Sequence, residues 1–217
     1  MDPGEFARRI DHTFLKPDAT EEDIVKLCDE SIRYGFASAC VASCWAALAR
    51  ERLHNSGVRV CCVVGFPFGS QILPAKAQEA REAVRAGAEE IDAVINIGYL
   101  RSGRIDSVSQ DISEIVDASR GATVKVIIET CYLTDAQKVL AAKLVRAAGA
   151  QYVKTSTGYG PKGAEAEDIL LIKKEVPGLL IKASGGIRTY EAAKKFLDAG
   201  ASRIGTSSGP IIMESFR

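Results

Sequence analysis

Lys154 and Lys182 each end a short apolar run, Tyr152-Val153-Lys154 and Leu179-Leu180-Ile181-Lys182. Burying an ammonium is costly unless it is paired or neutralised. Lysine is mostly exposed, so one such residue alone reads as a side chain that turns outward. Two of them, each followed by a small polar loop, read instead as a pair held inside the fold. Two cations in one low-dielectric pocket disfavour double protonation. One amine then loses its proton more easily than the reference value of about 10.4 implies. A neutral amine is the species that attacks a carbonyl to make an imine.

Asp92 lies in Glu90-Ile91-Asp92-Ala93-Val94-Ile95-Asn96. Strand alternation puts Asp92, Val94 and Asn96 on one face and Ile91, Ala93 and Ile95 on the other. The pattern does not say which face is inside. An inward Asp92 either pairs with the lysines structurally or passes protons.

These residues need a scaffold, and the chain advertises one by repetition. Seven glycines, Gly35, Gly57, Gly87, Gly121, Gly149, Gly178 and Gly200, each precede a short strand-like run. The runs are Ala37–Val41, Val58–Val64, Ile91–Ile95, Val124–Ile128, Tyr152–Lys154, Leu179–Ala183 and Arg203–Gly205. Glycine suits the left-handed residue that ends a helix. Helical spacing fills segments between strands, as in Glu21–Tyr34, Asp135–Ala148 and Ala164–Val176. Thr20, Thr134 and Thr189 mark helix starts. With Ile10–Thr13 as a first strand there are eight βα units. This predicts an α/β fold, a (β/α)8 TIM barrel forming one domain over residues 1–217. The alternative is an open doubly wound sheet, which the missing GxGxxG after the first strand disfavours.

Barrel chemistry sits at the C-terminal strand ends and the loops after them. That rule selects Asp11, His12 and Thr13, the loop Gly65–Gly69, Asp92, Asn96, Glu129, Lys154, Lys182 and the loops that follow the two lysines. Asp11 and Thr13 are candidate substrate contacts. The Gly185-Gly186 loop, with Arg188 close behind, and the Gly205–Gly209 loop carry small residues and serines where such barrels often bind phosphate. His12 and His54 look isolated, Glu129 reads as a core-edge carboxylate, and Trp45 reads as packing. The charge runs Glu79–Arg85 and Lys173–Glu175 read as solvated helix faces.

The bulk composition excludes several classes. Twenty-eight basic and twenty-eight acidic residues cancel in 217, so no net field recruits nucleic acid or an anionic membrane. No apolar run reaches the length of a membrane span, and Met1–Arg9 lacks the apolar block of a signal peptide. The expectation is a cytoplasmic protein. The six cysteines form no CxxC pair. They are expected to be buried, reduced thiols rather than zinc ligands.

Many segments in order resemble the deoxyribose-phosphate aldolase family over nearly the whole chain. They include Asp11-His12-Thr13, Gly65-Phe66-Pro67-Phe68-Gly69, Glu90-Ile91-Asp92, Val126-Ile127-Ile128-Glu129-Thr130, Val153-Lys154-Thr155-Ser156-Thr157-Gly158, Ile181-Lys182-Ala183-Ser184-Gly185-Gly186-Ile187-Arg188 and Ile204-Gly205-Thr206-Ser207-Ser208. The resemblance implies a class I aldolase that uses no metal or other cofactor. It would cleave 2-deoxy-D-ribose 5-phosphate reversibly to acetaldehyde and D-glyceraldehyde 3-phosphate. Lys154 would form the Schiff base, Asp92 would relay protons, and Lys182 would be the second lysine. Thr157 would orient a substrate hydroxyl or water. Phosphate contacts would fall at Gly158, Gly185, Gly186, Arg188, Gly205, Ser207 and Ser208. A homodimer is the family expectation. Ala42-Ser43 stands where the family usually has Asn-Pro, Tyr159-Gly160-Pro161-Lys162 is an unusual loop after strand six, and the chain ends at Arg217 without the longer tail of some relatives. The rival readings are a phosphosugar isomerase or epimerase with Glu129 or Asp92 as base, and a non-catalytic barrel that binds a phosphometabolite.

Overall fold

The eight expected strands all form, and no end is displaced by more than one residue. A computed structural model describes residues 1–216. Its strands are β1 (Ile10–Thr13), β2 (Ser38–Val41), β3 (Arg59–Val64), β4 (Glu90–Val94), β5 (Thr123–Ile127), β6 (Tyr152–Lys154), β7 (Leu180–Ser184) and β8 (Arg203–Thr206). They pair in parallel and in chain order, and the sheet closes. Closure is made by β1 against β8, with Ile10 beside Ile204 and Asp11 beside Gly205. An open sheet is thereby excluded.

The helices are α1 (Pro3–Ala7), α2 (Glu21–Tyr34), α3 (Ala46–Arg52), α4 (Leu73–Arg85), α5 (Ile97–Arg101), α6 (Ile105–Ala118), α7 (Asp135–Ala147), α8 (Ala166–Glu175), α9 (Tyr190–Ala199) and α10 (Gly209–Glu214). Thr20 and Thr134 start α2 and α7 with reciprocal capping boxes, and Thr189 accepts the Ala192 N–H at the start of α9. Each such cap contributes about 1 kcal/mol. The seven glycines before strands all have positive φ. Helix α8 is shorter than its apolar pattern suggested, beginning at Ala166 and ending at Glu175. None of the described helices is long and apolar enough to cross a membrane.

Strand alternation divides the barrel into two environments. Outward residues such as Ala39, Val60, Ile91, Val126, Val153, Ile181 and Ile204 pack in the apolar layer shared with the helices. Inward residues include Asp11, Cys40, Cys61, Glu90, Asp92, Lys125, Lys154, Lys182 and Arg203, and all of them are buried. Barrel interiors are normally layered with Val, Ile and Leu. This one has a charged column along its axis, which stability alone does not require. Cys28, Cys40, Cys61 and Cys62 are buried as expected, but Cys131 is half-buried and Cys44 is exposed on the turn after β2.

Candidate active site

Asp92 is the hub of the charged column. Strand β4 turns it inward along with Glu90, which fixes the face that alternation had left open. Lys154 Nζ donates to Asp92 Oδ2 at 2.8 Å, and Lys182 Nζ donates to the same oxygen at 2.6 Å. The two amines reach this point because Lys154 and Lys182 are register partners on β6 and β7. They therefore meet through a shared carboxylate oxygen, not as bare neighbouring cations in an apolar pocket. Lys182 also lies 2.5 Å from Asp11 Oδ2.

A third lysine was missed. Lys125 on β5 donates to Asp92 Oδ1 at 2.8 Å and lies 2.5 Å from Glu90 Oε2. It is the register partner of Asp92. Its signal was the one used for the other two, a lysine inside an apolar strand, but its apolar run continues through Val126, Ile127 and Ile128 with no small polar loop directly behind it. Arg203 closes the column from below. Its guanidinium donates to Asp11, through Nε at 2.9 Å and through a terminal nitrogen, and to Glu90 Oε2 at 2.9 Å.

The shifts follow from this wiring. Burial pushes the Asp92 carboxyl up, but Lys125, Lys154 and Lys182 outweigh it and hold the group well below the usual carboxylate range. Burial likewise pushes Asp11 up, and Lys182, Arg203 and Lys125 bring it below its ordinary value. Burial pulls Lys182 down, while Asp11 and Asp92 more than compensate and hold it above the ordinary lysine range. Lys125 behaves the same way through Asp92.

Above this column opens a cleft of about 500 Å³ at the C-terminal strand ends. Lys154 forms part of its floor, and Asp92 and Lys182 are fully buried beneath. Of the other sequence candidates, Thr13, Thr157, Gly158, Gly185, Gly186, Arg188, Gly205 and Ser207 line the cleft. Asp11 and Ser208 are not on its wall. Asp11 is wholly buried under the lysines, so its place in the structure is that of a charge partner. Ser208 stands at the start of α10, where its N–H donates to Thr206 Oγ1. Lys16, which the sequence did not single out, also lines the cleft, as does Tyr159 from the unusual loop after β6. Tyr159 Oη donates to the Leu15 carbonyl at 2.8 Å, bridging the loops after β6 and β1.

Two glycines are required by close approach. A Cβ on Gly185 would stand 2.9 Å from the Cα of Gly163, so this glycine lets the loops after β6 and β7 touch. A Cβ on Gly205 would stand 2.9 Å from Lys182 Cε. Gly205 thus leaves room for the second lysine as well as forming part of the cleft. The Ala42-Ser43 turn stays outside the cleft lining. There Ser43 Oγ donates to Glu79 Oε1 at 2.9 Å, and Glu79 Oε2 accepts the Gly65 N–H at 2.8 Å. Glu79, read as a solvated charge, instead ties the loops after β2 and β3 together.

His12 is buried and bonded through Nε2 to Glu30 at 2.8 Å, so it is neither isolated nor in the cleft. Cys40, Cys61 and Asp92 are a group of potential metal ligands, with their ligand atoms within 4.8 Å of one another. Asp92 already accepts three ammonium hydrogen bonds. Burial also pushes the Cys61 thiol well up, so this trio is a poor fit for a cation.

A closed parallel barrel with a lysine–carboxylate cluster under an open cleft defines an enzyme-like scaffold suited to carbonyl chemistry. Residues 6–213 match the DeoC/LacD family of aldolases. The chain belongs to that family. It is 62% identical to the deoxyribose-phosphate aldolase of Methanocella arvoryzae, covering 100% of this chain and 98% of the relative. It is 55% identical to the same enzyme of Clostridium kluyveri, covering 96% of each. Among solved structures, the tetrameric deoxyribose phosphate aldolase of Aeropyrum pernix superposes with a TM-score of 0.93 at 38% identity, covering 99% of this chain and 92% of that one.

Proposed function

We propose that this protein is a deoxyribose-phosphate aldolase that reversibly cleaves 2-deoxy-D-ribose 5-phosphate to acetaldehyde and D-glyceraldehyde 3-phosphate through an imine on Lys154. The observation that carries the reading is that Lys154, alone of the three lysines on Asp92, meets the cleft. Lys125, Lys154, Lys182 and Arg203 face Asp11, Glu90 and Asp92, so the column holds one more cation than anion. Lys182 and Lys125 each have two carboxylates within 2.8 Å, and Lys154 has one. Lys154 is thus the amine of the three held by the fewest carboxylates and the one that can reach a bound carbonyl.

The neutral amine adds to the C1 aldehyde of the open-chain sugar, and the carbinolamine loses water to give a protonated imine. The C2–C3 bonding pair moves into that imine as the C3 hydroxyl gives up its proton. D-Glyceraldehyde 3-phosphate leaves, and an enamine of acetaldehyde remains on Lys154. Protonation at C2 and hydrolysis release acetaldehyde and restore the amine. Asp92 carries protons to and from these hydroxyls, most simply through a water, and Lys182 holds Asp92 in place. The Gly185-Gly186 turn, Arg188 and Ser207 grip the phosphate, whose binding energy is remote from the bond that breaks. The same reading expects one domain over residues 1–217, a cytoplasmic location and a homo-oligomer.

The test is acetaldehyde release from 2-deoxy-D-ribose 5-phosphate. The wild type should release it, and Lys154→Arg should not. A sugar phosphate isomerised without acetaldehyde would establish the isomerase instead, and binding without turnover would establish the silent barrel.

A further inference from the structure

Glu129 follows β5 and has no part in the cleavage scheme, yet its setting is unusual. Its backbone is left-handed, with φ 51° and ψ 69°. For a residue other than glycine this conformation is strained and persists only where the surroundings impose it. Its side chain is buried. Oε2 accepts the Thr157 N–H at 3.1 Å and, in a short contact, the Thr157 hydroxyl. The loop after β6 presses on it, since a Cβ on Gly160 would stand 3.3 Å from Glu129 Oε1 and 2.8 Å from Cys131 Sγ.

A threonine hydroxyl has one hydrogen and two lone pairs, and a carboxylate only accepts. The one hydrogen of Thr157 therefore goes to Glu129. One lone pair takes the Tyr159 N–H at 3.0 Å. The other remains, on a residue that lines the cleft with Lys154. Thr157 can thus accept a hydrogen bond from a ligand but cannot donate one. We infer that Glu129 is a positioning residue that fixes Thr157 as an acceptor, so that the cleft selects aldehydes carrying a hydroxyl beside the reacting carbon over their deoxy analogues. The inference rests on the aldolase reading and adds a determinant of acceptor choice to it.

The experiment compares acetaldehyde addition to D-glyceraldehyde 3-phosphate and to 3-phosphooxypropanal, which lacks the adjacent hydroxyl. It uses the wild type, Glu129→Ala, Glu129→Gln, Thr157→Val and the Glu129→Ala/Thr157→Val double variant. Borohydride trapping of acetaldehyde on Lys154 runs alongside. The wild type should favour the hydroxylated aldehyde in kcat/KM by about tenfold or more. Glu129→Ala should lose that preference while the deoxy aldehyde and the trapping stay within about twofold of wild type. Glu129→Gln, whose carboxamide oxygen still accepts both Thr157 donors, should keep it. The double variant should be no worse than Thr157→Val, because both changes remove one interaction. A Glu129→Ala enzyme that keeps its preference, slows equally with both aldehydes, or multiplies the Thr157→Val loss overturns the inference. If Glu129→Ala does not fold, Thr157→Val decides alone, and an unchanged preference there overturns it too. Absence of trapping in the wild type would instead overturn the aldolase reading and this inference with it, whereas intact trapping with an unchanged preference would overturn the inference only.

Discussion

Gly205→Ala adds one methyl group on the inner wall of β8 and should disable the enzyme without dismantling the barrel. The new Cβ would stand 2.9 Å from Lys182 Cε, 2.9 Å from Ser184 Cβ and 3.7 Å from Lys182 Nζ. Carbon atoms pack best at about 3.5–4.0 Å, so the lysine stem must retreat by roughly 0.5–1 Å. Ser184 belongs to the neighbouring strand and has less freedom to give. The Lys182 ammonium now sits 2.6 Å from Asp92 and 2.5 Å from Asp11, and a retreat of that size stretches both contacts. Hydrogen bonds to charged groups contribute about 1.5–3 kcal/mol each. Losing the one to Asp92 in the reacting state lowers kcat by roughly tenfold to 150-fold, at 1.36 kcal/mol per tenfold. Overpacking costs about 1–3 kcal/mol of stability as well. The assay is kcat for acetaldehyde release beside a urea unfolding midpoint. Lys182→Met provides the comparison, because Gly205→Ala should add little further loss once that ammonium is gone. A Gly205→Ala enzyme with wild-type kcat would refute the argument that this glycine makes room for Lys182.

Other consequences lie away from the column. Lys76 is buried against Asp111 at 2.5 Å and donates to the Val94 carbonyl at 3.0 Å; Lys76→Met should cost about 3–5 kcal/mol by stranding the carboxylate, and Lys76→Met/Asp111→Leu should recover most of it in urea unfolding. Burial lowers the His12 pKa below 6.5 even though Glu30 favours its charged form. The unfolded chain therefore binds this proton first, so its contribution is full above pH 6.5 and is lost as pH falls from there toward the folded value; His12→Gln should flatten the stability profile across that window, and an unchanged slope would assign it to other groups. Arg188 is exposed on the cleft, and Arg188→Ala should raise KM for 2-deoxy-D-ribose 5-phosphate by about tenfold while changing the unphosphorylated sugar little.

What the sequence made legible follows from which physical signals are local. Apolar runs after glycine, threonine caps and the 3.6-residue period are local, and they placed the strands within a residue. Strand-end position found Lys154 and the glycine loops because a barrel exposes those ends to the cleft, whereas Lys182, buried in the middle of β7, stood out because its apolar run gives way to a small polar loop. Strand-end position passed over Lys125, whose meaning depends on its register opposite Asp92 across the β4–β5 pair. It also placed Asp11 among substrate contacts, since a strand end says nothing about depth below two lysines. Lys76 was hidden for another reason. It sits in the charged-looking helix α4, and only the approach of Asp111 from α6 reveals that it is buried. Glu129 looked like an edge carboxylate until the loop after β6 folded onto it. In each case the missing information was a tertiary contact between segments far apart in the chain.

The central claim is that the amine of Lys154 bonds covalently to the aldehyde carbon. Incubation of the protein with 2-deoxy-D-ribose 5-phosphate and sodium borohydride, followed by peptide mass analysis, tests it directly. The account predicts one reduced adduct, on the peptide carrying Lys154, and none in Lys154→Arg. An unmodified Lys154 peptide from an enzyme that still releases acetaldehyde, or an adduct on Lys182 or Lys125 instead, would contradict it.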